Sequence, residues 1–85
     1  MLELFGAGSC PYTKELREQL LFEGEEFVEY DVEANSEALA RMLSLTGGNN
    51  MVPVLVHDAQ IKEVGWNGSG CYVTEEPAAR TAHGD

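Results

Sequence analysis

Met51-Val52-Pro53-Val54-Leu55-Val56 is the longest uninterrupted apolar run in the chain. A strand whose side chains are apolar on both sides of the pleat must be covered on both faces, so this run reads as a central strand with helices above and below it. Pro53 qualifies that reading. A proline cannot donate to a sheet ladder, so it belongs at the start of the strand or at a break in it. The Val52-Pro53 bond could be cis, but only about 5–6% of X-Pro bonds are, so local chemistry does not require it. Either way the backbone of Val52 is left to pair with something other than the sheet.

The rest of the chain supplies the covering layers. Leu2-Glu3-Leu4-Phe5 alternates as a short strand and breaks at Gly6-Ala7-Gly8. A helix follows from Pro11, with Tyr12, Leu16, Leu20 and Leu21 as its apolar stripe and Gly24 as its stop. Phe27 to Val32 is a second strand, with Val28, Tyr30 and Val32 on the buried side and Glu29 and Asp31 on the wet side. A second helix is capped by Asn35 or Ser36, carries Leu39, Met42, Leu43 and Leu45, and ends at Gly47-Gly48. After the apolar run, His57 to Gln60 turns the chain and Ile61 to Val64 returns as a hairpin partner. The order strand, helix, strand, helix, strand, strand predicts an α/β domain with a mixed four-stranded sheet and helices on its faces. Glycines 65, 68 and 70 predict a loop, followed by a short or degenerate helix from Ser69 or Cys71 to Thr74. One domain is expected over residues 1–74. Residues 75–85 contain no large apolar side chain and read as a disordered tail.

Fifteen acidic against five basic residues give a net charge of −10. That repels nucleic acid and anionic membranes, and it argues against both as partners. No segment has the apolar length of a membrane span or the basic start of a signal peptide, so a cytoplasmic location is expected. Two cysteines and two histidines match neither a disulfide framework nor a zinc spacing, and no metal site is expected. His57 falls in a turn and His83 in the tail, where both read as solvated side chains. Trp66 reads as core or pocket wall.

The chemistry centres on Ser9-Cys10-Pro11-Tyr12-Thr13. Pro11 suits a first helical position because its missing N–H would have no helical partner there and its ring holds the helical φ. Cys10 is then the N-cap, facing the free N–H groups of Tyr12 and Thr13 and the positive end of the helix dipole. Its thiolate is favoured, and its pKa is expected to fall below the ordinary cysteine value of about 8.5. Thr13 can add a hydroxyl donor. Lys14 is the only charged residue between Phe5 and Glu15, which makes this stretch locally basic.

These motifs together resemble the glutaredoxins of the thioredoxin superfamily. Cys10-Pro11-Tyr12-Thr13 is similar to their Cys-Pro-Tyr-Cys site with threonine in place of the second cysteine. Met51-Val52-Pro53 resembles their Thr-Val-Pro, whose proline is cis and faces the active cysteine. Ser69-Gly70-Cys71 falls where the family has Gly-Gly followed by Asp, Cys or an aromatic residue. Similar short proteins carry selenocysteine at the Cys10 position before the same Pro-Tyr-Thr, so this chain resembles a cysteine form of them. The resemblance covers residues 1 to about 74 and implies a thioredoxin-like fold.

It also implies a function. The Cys10 thiolate would attack a disulfide and form a mixed disulfide that a second thiol resolves. With threonine at position 13, the resolving thiol is either an external one such as glutathione, acting as co-substrate, or Cys71. Some single-cysteine members have a cysteine at the Cys71 position close to the active one, which implies a Cys10–Cys71 disulfide. Substrate would be held by the backbone at Val52 and Pro53 and by N–H groups near Ser69 and Gly70. The family's glutathione-binding lysine is replaced by Ala7, and its acidic anchors by Tyr72 and Val73. The implied partners are a disulfide-containing protein or a low-molecular-weight thiol, acted on by a monomer. Two other readings are a redox-sensing or partner-binding domain with little turnover, and a dimer bridging an iron–sulfur cluster. The Cys-Gly-Phe-Ser site of cluster-binding relatives is absent, and Pro11 and Tyr12 would crowd a cluster.

Overall fold

The computed structural model describes residues 1–73. Thr74 and the tail expected over 75–85 lie outside the described residues. The elements are β1 (Leu2–Gly6), α1 (Pro11–Phe22), β2 (Phe27–Asp31), α2 (Ser36–Thr46), β3 (Met51–Val52), β4 (Val54–His57), β5 (Gln60–Val64) and β6 (Cys71–Tyr72). A four-stranded sheet has the order β2-β1-β4-β5. β1 runs parallel to β2, as the crossover through α1 demands, and antiparallel to β4, while β4 and β5 form the hairpin. This is the mixed α/β architecture expected for a thioredoxin-like glutaredoxin fold.

The strict alternation of β1 divides the core in two. Leu2 and Leu4 point to one face, where they meet Leu55 and the α1 residues Leu16 and Leu20. Phe5 points to the other and meets Val54, Val56 and the α2 residues Ala38, Leu39 and Met42. Each large aliphatic side chain buried this way contributes about 1.5–3 kcal/mol. α2 is bounded as its sequence predicts: the Asn35 side chain accepts from the N–H of Ala38 at 3.1 Å, and Gly47 closes the helix at φ +74°.

Four expectations need correction. The apolar run is not one strand: a cis Val52–Pro53 bond breaks it into β3 and β4, and only β4 lies in the main sheet. Leu21 does not extend the α1 stripe. It is 62% exposed, because the buried seam runs through Thr13, Leu16 and Leu20 and Leu21 sits about 100° further round the helix. Val28 is also exposed, since β2 is an edge strand and Val28 lies opposite Glu3, at the polar end of its face; Phe27 packs inward instead. Finally, the segment from Ser69 to Val73 holds no helix. Cys71 and Tyr72 pair antiparallel with Val52 and Met51 as β6, and Asn50 grips Val73 through both backbone groups. Those partners satisfy the backbone in an extended form.

Candidate active site

Cys10 is the N-cap of α1, with extended backbone angles (φ −90°, ψ 119°) and Pro11 behind it in the helix. Its N–H donates to the Ala7 carbonyl at 3.1 Å, and its own carbonyl accepts from Lys14 N–H at 3.3 Å as the first helical bond. The side chain makes no capping hydrogen bond. The sulfur expected to face the Tyr12 and Thr13 N–H groups is instead bonded to Cys71.

Thr13 shows why the turn before Cys10 is held in place. It is fully buried, and its hydroxyl accepts from the Ala7 N–H at 3.3 Å, rather than acting as a donor toward the cysteine. Gly6 lies so close that any Cβ there would overlap the Thr13 side chain. The glycine is therefore required by packing at the strand end, and Thr13 serves as the anchor of the Ala7 loop.

Cys71 reaches Cys10 from the other side. Their Cα atoms are 6.0 Å apart and the two sulfurs form a disulfide, across 61 residues of sequence. The approach is built by β6. Gly65 N–H donates to the Pro53 carbonyl at 2.6 Å, and Trp66 and Ser69 exchange backbone hydrogen bonds at 2.6 and 2.8 Å to make a tight turn. Asn67 and Gly68 occupy the left-handed region within it. Gly70 then passes against Val52 and Met51 so tightly that a Cβ would overlap the Val52 carbonyl. Cys71 is thereby set opposite Val52.

The structure thus brings Cys10, Cys71, Val52 and Gly70 together, with Tyr12 packed on the same apolar cluster. Pro53 is fully buried. Two expected substrate contacts are differently employed. The Val52 edge is paired with Cys71, and the Ser69 N–H is bonded to Trp66. Both are taken by the chain's own backbone. Of the positions where the resemblance places glutathione anchors, Ala7 and Val73 are buried and Tyr72 is 69% exposed. Trp66 is partly buried against the α1 side of the core, and His57 is exposed.

Sequence reasoning missed the clamp made by Asn50 and the acidic rim beside the Cys10 loop. Ser9 donates its hydroxyl to Glu33 at 3.4 Å, and the Asp31 carboxylate lies next to Gly8. The Asn49-Asn50 turn signal was the available hint for the first; nothing local pointed to the second. Among the described residues no group of His, Cys, Asp or Glu is arranged to hold a metal ion, and no helix is long and apolar enough to cross a membrane.

The glutaredoxin family model matches residues 2–62. No curated protein and no solved structure matches the chain. The match takes in β1, the Cys10 turn, both helices and the cis-proline junction, and on it the chain belongs to the glutaredoxin family.

Proposed function

We propose that this chain is a thiol–disulfide oxidoreductase of the single-cysteine Cys-Pro-Tyr-Thr form, with Cys10 as nucleophile and Cys71 as resolving thiol. The observation that carries the reading is the disulfide between two residues 61 apart in sequence, one of them the N-cap cysteine of α1. In the reduced protein the Cys10 thiolate attacks a substrate disulfide. A bond forms between Cys10 Sγ and one substrate sulfur, and the other sulfur leaves as a thiolate. The Cys71 thiolate then attacks Cys10 Sγ, releases the second substrate thiolate and closes the Cys10–Cys71 disulfide. External thiol must reduce that bond before the next cycle.

The surrounding residues serve these steps. Pro11 starts the helix whose N-terminus favours the Cys10 thiolate. Tyr12 packs against the apolar cluster that includes Cys10, and Thr13 fixes the loop in front of it. Val52 and Pro53 present a backbone edge for substrate once β6 moves aside, and Ser69 and Gly70 carry Cys71 into reach. Glutathione is a co-substrate in this scheme, held by backbone contacts, because Ala7, Tyr72 and Val73 offer its charged ends no partner. The substrates are protein or low-molecular-weight disulfides, the working form is a monomer, and the location is cytoplasmic. Cys10 takes the part that selenocysteine plays in the short proteins with the same Pro-Tyr-Thr. The burial of Cys10 at 2% exposure favours a second reading, a redox sensor that closes its disulfide with little turnover.

Reductase assays on wild type, Cys10→Ser and Cys71→Ser decide the matter. Cys10→Ser is expected to fall to the uncatalysed rate. Cys71→Ser is expected to stall as a mixed disulfide on Cys10 and to regain turnover with added glutathione. Cys10 alkylation in the reduced protein should follow a thiolate titrating well below about 8.5. Wild-type activity in Cys10→Ser would end the reading; a disulfide that forms without turnover would leave the sensor.

A further inference from the structure

The reaction centre has an acidic border that the cycle above does not use. The loop between β2 and α2 lies against the loop that carries Cys10: the Asp31 carboxylate sits beside Gly8, and Glu33 accepts from the hydroxyl of Ser9, one residue before the nucleophile, at 3.4 Å. Both acidic side chains are exposed, and the Glu33 N–H donates to the Asp31 carboxylate at 2.9 Å, which holds the two acids on one turn. Among the described residues neither forms a salt bridge, and Arg17 and Arg41 are committed to Glu29 and Glu3. Lys14, in the first turn of α1, is the one basic side chain near Cys10 along the chain. Glu15 beside it and Glu18 one turn on offset its charge, and Ala7 adds none. Beyond this border the chain as a whole carries ten excess negative charges. Local and global fields have the same sign, and such a field concentrates cations at the site and depletes anions.

Resting on the oxidoreductase reading above, we infer that Asp31 and Glu33 select the substrate: a disulfide that carries ammonium or guanidinium groups beside its sulfurs, in preference to a neutral or carboxylate-bearing one. The cation is drawn to the two carboxylates while the Cys10 thiolate, on the neighbouring loop, attacks the adjacent sulfur. A bond forms between Cys10 Sγ and that sulfur, the substrate disulfide breaks, and the first cationic thiol leaves as a thiolate. Cys71 then attacks Cys10 Sγ and releases the second. The protein dithiol loses two electrons and two protons, the substrate gains both, and the Cys10–Cys71 disulfide is left. Asp31 and Glu33 touch no reacting atom. They act on encounter and orientation, so their effect must shrink with salt as the screening length falls from about 30 Å at 0.01 M to about 3 Å at 1 M.

The test follows the oxidation step by itself. Reduced full-length chain, freed of reductant, is mixed with an excess of disulfide at pH 7, quenched in acid at successive times, alkylated and read by intact mass. Cystamine is the cationic probe, 2-hydroxyethyl disulfide the neutral one and 3,3′-dithiodipropionate the anionic one. Each rate is divided by that of the same disulfide with dithiothreitol, which removes differences between leaving groups. At 0.01 M salt cystamine is expected to lead hydroxyethyl disulfide by about tenfold, with dithiodipropionate slowest, and the lead should fall to about twofold at 1 M. A disulfide dimer of Lys-Cys-Lys, run beside cystamine, tells a peptide source from a small-molecule one by which of them leads its neutral counterpart further. Asp31→Asn with Glu33→Gln, or Glu33→Gln alone where the double variant fails to fold, should cut the low-salt lead by about three- to fivefold. Glu25→Gln with Glu26→Gln, which removes the same charge at the far end of β2, should change it by less than about twofold. Equal cuts from the two pairs, or no lead for either cationic disulfide, overturn the inference while the oxidoreductase reading stands. Failure of every disulfide to oxidise the chain defeats that reading and the inference with it.

Discussion

Glu3 lies on the α2 side of β1, two residues before fully buried Phe5 and almost covered itself, yet it stays charged because Arg41 reaches it from α2. Both guanidinium arms donate to the carboxylate at 3.0 Å, and the Tyr30 hydroxyl adds a bond at 3.1 Å. The hydrogen bonds from Arg41 hold the Glu3 carboxyl below its ordinary value, against the opposing effect of burial. The same guanidinium covers the Phe5 and Tyr30 rings at 5.3 and 5.8 Å. Because half of the Arg41 side chain is in solvent, the whole arrangement is worth only about 0.5–1 kcal/mol. Arg41→Ala should lower stability to urea by that amount at pH 7. A depressed carboxyl contributes its stability above the unfolded value, and the contribution is lost as pH falls through the folded one. The difference between Arg41→Ala and wild type should therefore shrink below about pH 4. Equal loss at pH 3 and pH 7 would mean that the effect is packing over the rings. None of this was legible in the sequence, since Glu3 and Arg41 are 38 residues apart and each reads locally as a solvated charge.

Short elements meet at the site, and the least regular of them sets the geometry. β6 has two residues, and its alignment depends on Gly70 pressing against β3. Gly70→Ala places a methyl group into the Val52 carbonyl, so β6 must back away and Cys71 with it. Overpacking of this kind costs about 1–3 kcal/mol, which should weaken the Cys10–Cys71 disulfide about five- to hundredfold in a redox buffer titration. An unchanged disulfide equilibrium would show that β6 tolerates displacement. The expected short helix at this place failed because glycines and the Ser69-Gly70-Cys71 run say only that the chain turns. Whether the following residues coil or extend was decided by β3 and Asn50, both from another part of the chain. α1 and α2 were far more legible. Pro11, Gly24, Asn35 and Gly47 mark their ends through local backbone chemistry, and only the width of the α1 stripe was misjudged.

For the molecule as a whole, one covalent link joins the first helix to the last described strand. Closing a loop between residues 61 apart removes enough freedom from the unfolded chain to stabilise the fold by about 4 kcal/mol. Urea unfolding with and without a reductant should differ by that amount, and a difference near zero would mean that the reduced chain keeps its unfolded state as confined as the oxidised one. Net charge acts at the same scale. With ten excess negative charges the folded chain repels itself, so moving from about 0.02 to 0.5 M NaCl should raise Tm by roughly 4 °C as screening shortens the interaction range. A fall in Tm would point instead to ion pairs such as Arg17–Glu29 as the dominant electrostatic contribution.

What the amino-acid sequence determined by itself is whatever depends on neighbours along the chain. That covers the order of β1, α1, β2 and α2, the helix ends, the two-faced covering of the sheet, and the Cys10-Pro11 junction at the head of α1. Even the cis Val52–Pro53 bond was legible only through likeness to a family, because the local preference runs the other way. The tertiary structure decided which backbone pairs with Val52, where the Thr13 hydroxyl points, how deeply Cys10 is buried and how closely Cys71 approaches it. Each of these is a contact between segments distant in sequence. Its free energy depends on where the whole fold brings those segments, and no local propensity contains that information.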